Sequence, residues 1–213
     1  MALTGVGTVI FLSVANVNFY QVPVGSSAAP ATVMVQNRGK STLAVSIGVS
    51  GAGKSSFSQT NTCGGSIGSG QSCTITVTFS PKTIGSLGAA ISLVDAGGGS
   101  PQTVSLTGTG TALRVSPKTL NFGTVPVGQI SPDLLVSITN VTVLGEGFNI
   151  TIGGANSTDF IETNSCNEFL QPGQTCSIVV NFIPTRTGTR TASLNLTGAG
   201  GGPQAVQLAG VGK

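Results

Sequence analysis

The stretch Gly48-Val49-Ser50-Gly51-Ala52-Gly53-Lys54-Ser55 spells G-x-x-x-x-G-K-S, the pattern of a phosphate-binding loop. Such a loop holds phosphate on backbone amides because it leads from a buried strand into a helix N-terminus. The residues that follow here are Ser56-Phe57-Ser58-Gln59-Thr60, then Asn, Cys and Gly-Gly, and they do not read as a helix. A magnesium-binding acid is also missing, since Asp95 is the one acid in residues 1–110. The stretch from Gly48 to Ser55 is read as a Gly-rich surface loop with no nucleotide bound.

Other chemistry is scarce. The chain has no His, which excludes Ser-His-Asp and Cys-His nucleophiles and any His-ligated metal. Asp159 and Glu162 are close in sequence, but on a loop and a strand edge they read as solvated charges. The sharper alternatives, a glycosidase pair or a weak calcium loop, lack supporting pattern. Sugar sites use exposed aromatic rings, and the chain has no Trp and one Tyr, Tyr20. Tyr20 is therefore either a ligand contact or an edge-strand packing residue. Phe11, Phe19, Phe57, Phe79, Phe122, Phe160 and Phe182 are expected in the core. Asn140, Asn149, Asn156 and Asn195 head N-x-Thr sequons, read as background in a Thr- and Asn-rich chain. No cofactor and no metal are expected, and the chain is read as not an enzyme.

The elements that position these residues come in two copies. Shifting the chain by 103 positions lays Val22-Pro23-Val24-Gly25 on Val125-Pro126-Val127-Gly128. The same shift lays Asn37 on Asn140, Phe57 on Phe160, Cys63 on Cys166, Cys73 on Cys176, and Phe79-x-Pro81 on Phe182-x-Pro184. A period this long is a whole domain. The expected domains are residues 1–110 and 111–213. Within each, apolar residues alternate with polar ones, as in Thr74-Ile75-Thr76-Val77-Thr78-Phe79, which marks a strand with one buried face. Val33, Val35, Ala89, Ile91 and Leu93 are expected in the first core, and Val136, Ile138, Ala192, Leu194 and Leu196 in the second. The fold class is all-β: two tandem Ig-like antiparallel β-sandwiches of about 103 residues each. Val9-Ile10-Phe11-Leu12 lacks a basic flank and aligns with the start of the second copy, so it reads as fold and not as a signal peptide.

Composition agrees. Only 7% of residues are charged, against roughly 25% in an ordinary soluble domain. Of the net charge of +3, all falls in the first copy. No basic stripe is present, so nucleic acid is not an expected partner. No apolar run is long enough to insert in a membrane as a helix.

Each copy carries two cysteines ten apart, on the two arms of a hairpin-like loop and within disulfide reach. The expected disulfides are Cys63 with Cys73 and Cys166 with Cys176; the alternative is four free thiols. Zinc is disfavoured by the absence of His and of Cys-x-x-Cys. Two such bonds point to an oxidising compartment, extracellular or at the cell surface.

The motif Leu-x-Gly-x-Gly closes both copies, at 106–110 and 208–212, and occurs once more at Leu3-Thr4-Gly5-Val6-Gly7. This first instance has no copy in front of it. It reads as the tail of an upstream domain in a longer array, or as a strand (Leu3, Thr4, Gly5, Val6, Gly7) exchanged with a neighbouring chain.

The order Asn121-Phe122-Gly123-x-Val125-Pro126-Val127-Gly128, Thr139-Asn140, Phe160, Cys166, Pro172-Gly173-Gln174-Thr175-Cys176, Phe182-x-Pro184, Gly188 and Leu208-x-Gly210-x-Gly212 resembles the abnormal-spindle/Hydin (ASH) Ig-like domains. The resemblance spans essentially the whole chain, twice. The first copy departs from it at Tyr20, which replaces Gly123. The resemblance implies a seven- to eight-stranded sandwich related to major sperm protein and PapD-type domains, and for the bacterial branch tandem repeats in secreted or surface proteins. It implies no single activity.

Three functions are weighed. The first is a non-catalytic, disulfide-pinned structural or adhesion spacer in a larger surface protein, its two copies end to end at Gly110-Thr111. The second is a fibre or sheath subunit joined to identical subunits by strand addition. The third is a cytoskeletal or ciliary adaptor, against which the paired cysteines and sparse charge count. The partners expected are other domains of an array or identical subunits.

Overall fold

Alternation builds the sheets. A computed structural model of the protein describes residues 8–97 and 99–213; the strand expected at Leu3–Gly7 lies outside the described residues. Packing divides the chain into two compact units, one ending at Gly110 and the next beginning at Thr111. In the first, the strands are β1 (Ile10–Leu12), β2 (Asn16–Pro23), β3 (Ala31–Asn37), β4 (Leu43–Ser50), β5 (Phe57–Asn61), β6 (Ser66–Ile67), β7 (Ser72–Phe79), β8 (Gly85–Asp95) and β9 (Gln102–Thr111). In the second they are β10 (Leu113–Ser116), β11 (Thr119–Val125), β12 (Leu134–Asn140), β13 (Glu146–Gly147), β14 (Asn149–Gly153), β15 (Phe160–Asn164), β16 (Phe169–Leu170), β17 (Thr175–Phe182), β18 (Gly188–Thr197) and β19 (Gln204–Gly212).

The first domain pairs β1-β3-β7-β5 in one sheet and β2-β9-β8-β4-β6 in the other. The second pairs β10-β12-β17-β15 and β11-β19-β18-β14, with β13-β16 as a short separate ladder. In β7, Cys73, Ile75, Val77 and Phe79 turn inward while the Thr residues between them face out. They meet Val33, Val35, Ile91, Leu93, Val104 and Leu106 in one core. A second core repeats it with Val136, Ile138, Ile178, Val180, Leu194, Leu196, Val206 and Leu208. Each such side chain contributes about 1.5–3 kcal/mol on burial. The second domain departs from the antiparallel expectation where β11 runs parallel to β19. Parallel neighbours need a long crossover, and β12 to β18 lie between these two strands in the chain.

The recurring Leu-x-Gly-x-Gly ending has a packing cause. Phe19, Phe57 and Phe79 cluster, with the Phe57 and Phe79 centroids 4.7 Å apart. Phe122, Phe160 and Phe182 repeat the cluster, with Phe160 and Phe182 at 4.9 Å. The ring of Phe79 lies directly on Gly108, where a Cβ would stand 2.5 Å from it; Phe182 lies on Gly210 in the same way. At Gly110 and Gly212 a Cβ would collide with the carbonyls of Thr83 and Arg186.

Phe11 is a correction to the expected core. It is only partly buried, and the Arg38 guanidinium sits 3.8 Å over its ring. In the three-residue strand β1, it is Ile10 that is buried, so the intervening position of Phe11 faces the other side.

Gly108→Ala is expected to destabilise the first domain by about 1–3 kcal/mol, because the Phe79 ring must move off its rotamer. Urea denaturation measures it, and a change under about 0.5 kcal/mol, the level of a neutral surface substitution, would refute the ring-on-glycine account.

Candidate functional site

The loop with the phosphate-binding spelling does something else. It leaves β4, forms a single 3₁₀ turn at Lys54–Ser56 and enters β5 directly. No helix N-terminus is presented, and β4 is antiparallel to β8. Gly53 N donates to the Gly88 carbonyl at 2.9 Å, and a Cβ on Gly53 would stand 2.8 Å from that oxygen. The glycines let the loop lie against β8, and Lys54 is exposed. In the second domain Asn156 fills the place of Gly53, donating its N–H to the Thr191 carbonyl and accepting from Thr191 N.

Asp159 and Glu162 are not brought together as a pair. Glu162 Oε2 accepts from Asn164 Nδ2 at 3.1 Å. Asp159, expected to be solvated, is fully buried. Its Oδ2 accepts from Arg190 Nε, and its Oδ1 from Thr185 Oγ1 at 2.6 Å and Thr185 N at 3.2 Å. Burial opposes the carboxylate, but the hydrogen bonds from Arg190 and Thr185 and the Arg190 charge outweigh it and hold the carboxyl below its ordinary value. At the corresponding positions the first domain has buried Ser56, whose Oγ accepts from Lys82 N at 3.4 Å, and Leu87. One corner is thus closed by an ion pair in one domain and by a hydroxyl and an apolar chain in the other. Sequence reasoning missed this pair; the signal was a charge appearing at two matched positions of one copy only. Among the described residues no cluster of three Cys, Asp or Glu can hold a metal ion.

Two features common to both domains, a buried asparagine and a disulfide, meet at one end of each sandwich. Asn37 follows Val33 and Val35 at an inward-facing position of β3, so a polar side chain enters the core in register with two valines. It is fully buried. Its Nδ2 donates to the carbonyls of Ser41 (2.8 Å) and Ile67 (2.9 Å), and its Oδ1 accepts from Gly39 N (2.8 Å). Its own N–H donates to Gln71 O, and its carbonyl accepts from Gly70 N. Asn140 repeats this with Leu144 O (2.7 Å), Leu170 O (3.0 Å), Thr142 N and Thr142 Oγ1.

The disulfides close the same end. Cys63 is bonded to Cys73 and Cys166 to Cys176, each pair with Cα atoms 5.0 Å apart. Cys73 lies opposite Val35 on β3. Cys63 begins the short turn into β6, with Ser66 N donating to its carbonyl. Strand β6 is therefore fastened by the disulfide to β7 and by Asn37 to β3, while it pairs with β4 of the other sheet. Asparagine and disulfide together tie one sheet to the other.

Tyr20 is not a packing residue. It is 75% exposed and sits at φ 55°, where the matched Gly123 has φ 65°. In each copy an Asx turn holds the bend: Tyr20 N donates to Asn18 Oδ1 at 2.8 Å and Gly123 N to Asn121 Oδ1 at 2.9 Å. A glycine facing Tyr20 in the other copy was the sequence signal of a left-handed backbone. Of the sequons, Asn140 has its amide committed in the core and is closed to a glycan; Asn149 is exposed on β14.

Two disulfide-bonded Ig-like sandwiches, each with a buried Asn tie, define the class. Residues 8–103 and 111–206 each match the model described as abnormal spindle-like microcephaly-associated, ASPM-SPD-2-Hydin (ASH). The chain belongs to this family. Among solved structures it is similar to the ASH/PapD-like domain 7 of human CEP192: 13% identity, TM-score 0.38, covering 48% of this chain and 86% of that one. It is similar to the E. coli chaperone DraB at 13% identity and TM-score 0.37, covering 95% and 97%. It is also similar to domains 5–6 of the S-layer protein SbsC at 15% identity and TM-score 0.32, covering 96% and 97%. No curated protein matches.

Asn140→Ala is expected to cost the second domain about 3 kcal/mol, because the Leu144 and Leu170 carbonyls lose their donor. Asn37→Ala should cost the first domain a similar amount; urea denaturation with domain-specific probes reads both, and a loss below about 1 kcal/mol contradicts the tie.

Asp159→Ser alone leaves Arg190 without its partner and is expected to cost about 3 kcal/mol. Adding Arg190→Leu installs the first domain's pair and should recover most of the loss. The folded pKa of Asp159 is depressed, so its contribution is complete above the ordinary carboxylate value of 3.8. It is lost as the pH falls through the lower folded value. Denaturation of native and double-variant protein at neutral pH and in acid checks this: the double variant should lack the acid-labile part. Equal acid sensitivity would contradict it.

Proposed function

We infer that the chain is a non-catalytic structural module, a pair of disulfide-pinned sandwiches serving as a rigid spacer within a larger extracellular or surface protein. The observation that carries this reading is the cross-linked end present in both domains. The two copies share a disulfide, a buried asparagine and an aromatic cluster, and these shared features serve the scaffold. Asp159 and Arg190, a pair present in one copy only, also serve packing. The phosphate-loop spelling is absorbed by contact with β8, so no nucleotide is assigned to it. Paired cysteines at matched places favour an oxidising compartment, which weighs against an intracellular adaptor. Its partners in this reading are neighbouring domains of an array.

Native protein from an oxidising host should show no alkylatable thiol by mass spectrometry. Reduction should lower each domain's stability by about 2–3 kcal/mol, the chain-entropy value for so short a loop. Four reactive thiols in native protein would overturn the compartment. Sedimentation should give a monomer at all concentrations; filaments would favour the self-assembling subunit instead, and turnover of ester, peptide or glycoside substrates would end the non-catalytic reading.

A further inference from the structure

The outer face of the first domain's five-stranded sheet carries a groove of about 340 Å³, lined by Asn18, Ser86, Gly88, Thr107 and Thr109. Ser86 faces Thr109 and Gly88 faces Thr107 across the β8–β9 pair. The floor is open because Gly88 has no side chain: a Cβ there would meet nothing closer than the Leu106 carbonyl at 3.9 Å. The volume is at the lower end of the range for ligand sites, about 300–1,000 Å³. Its lining offers hydroxyls that donate and accept and one carboxamide, and no ionisable side chain. Tyr20, the most exposed aromatic ring described, stands on β2 two residues from Asn18 and is bonded to it through its amide.

The second domain supplies the contrast. At the matched positions Gly123 replaces Tyr20, Thr191 replaces Gly88, Ala209 replaces Thr107 and Val211 replaces Thr109. The ring, the open floor and two hydroxyls are lost together. The first copy also keeps Tyr20 in a left-handed conformation that glycine adopts freely and that costs a residue with a side chain. Strain retained at an exposed residue beside a groove is a mark of function and not of packing.

We propose that this groove of the first domain binds an uncharged pyranose glycan, with sugar hydroxyls on Asn18, Ser86, Thr107 and Thr109 and the apolar face of a ring against Tyr20. The absence of charge in the lining selects neutral sugars. The hydroxyl and carboxamide groups match a polyol, and the amphipathic phenol suits a ligand with one apolar and one polar face. This binding is independent of the spacer role and would give the array a contact with a surface polysaccharide.

The test is nitrogen-15 NMR of the full chain titrated separately with cellohexaose, maltohexaose and chitohexaose at millimolar concentration. At least one should shift the amides of Asn18, Ser86, Gly88 and Thr107, and leave Asn121, Thr189, Thr191 and Ala209 unmoved. Gly88→Thr and Tyr20→Gly, each installing the second domain's residue, should each weaken binding about tenfold or more. Tyr20→Gly should unfold no earlier than the native chain, so its loss of binding cannot be ascribed to misfolding. No shift with any of the three sugars, equal shifts in both domains, or unchanged affinity in both variants would overturn the proposal.

Discussion

Each domain depends on a buried asparagine that must be satisfied. Asn37 and Asn140 occupy positions where the strand pattern calls for an apolar side chain. A carboxamide there, unpaired, would cost several kcal/mol. It is tolerable only because Ser41, Gly39 and Ile67 in one domain, and Leu144, Thr142 and Leu170 in the other, present backbone groups to it. That requirement fixes the chain after β3 and β12 and holds β6 and β16 in place. The disulfides then close the turn that feeds those short strands. In the first domain β6, paired with β4, thereby ties one sheet to the other; in the second, β16 is held the same way beside its short ladder with β13.

The two domains show which parts of this design are free to vary. Aromatic cluster, glycine under the ring, asparagine and disulfide recur with the same geometry. Where the copies differ, one job is done by different chemistry. Gly53 approaches β8 by lacking a side chain, whereas Asn156 reaches β18 with its own carboxamide. A Ser and a Leu close the corner that Asp159 and Arg190 close with charge. Such exchanges are expected when the requirement is a filled, satisfied volume. The groove beside Tyr20 differs in kind, because there the first domain retains strain and empties space, with no packing gain.

Much of this was legible in the sequence. The alternation in Thr74–Phe79 announces a half-buried strand, and the cores follow from it. The cysteine spacing places each pair within bonding reach. What escaped was set by distant partners. Asn37 was visible as a matched residue, but its role depends on carbonyls at Ser41 and Ile67. Asp159 looked solvated because Arg190 is far along the chain. The parallel pairing of β11 with β19 leaves no local mark, since alternation reports which face is buried and not which neighbour is paired. Phe11 misled because a three-residue strand has too few turns of alternation to show its face.

The most direct measurement of the tie is native-state hydrogen exchange at Gly70 and Gly173, whose amides donate to the carbonyls of Asn37 and Asn140. Both lie in tight turns that would otherwise exchange quickly. If the asparagine and disulfide hold this end as one unit with the core, these amides are protected as strongly as those of β7 and β17, and reduction weakens both together. Exchange at the rate of an exposed loop, unaltered by reduction, would contradict it.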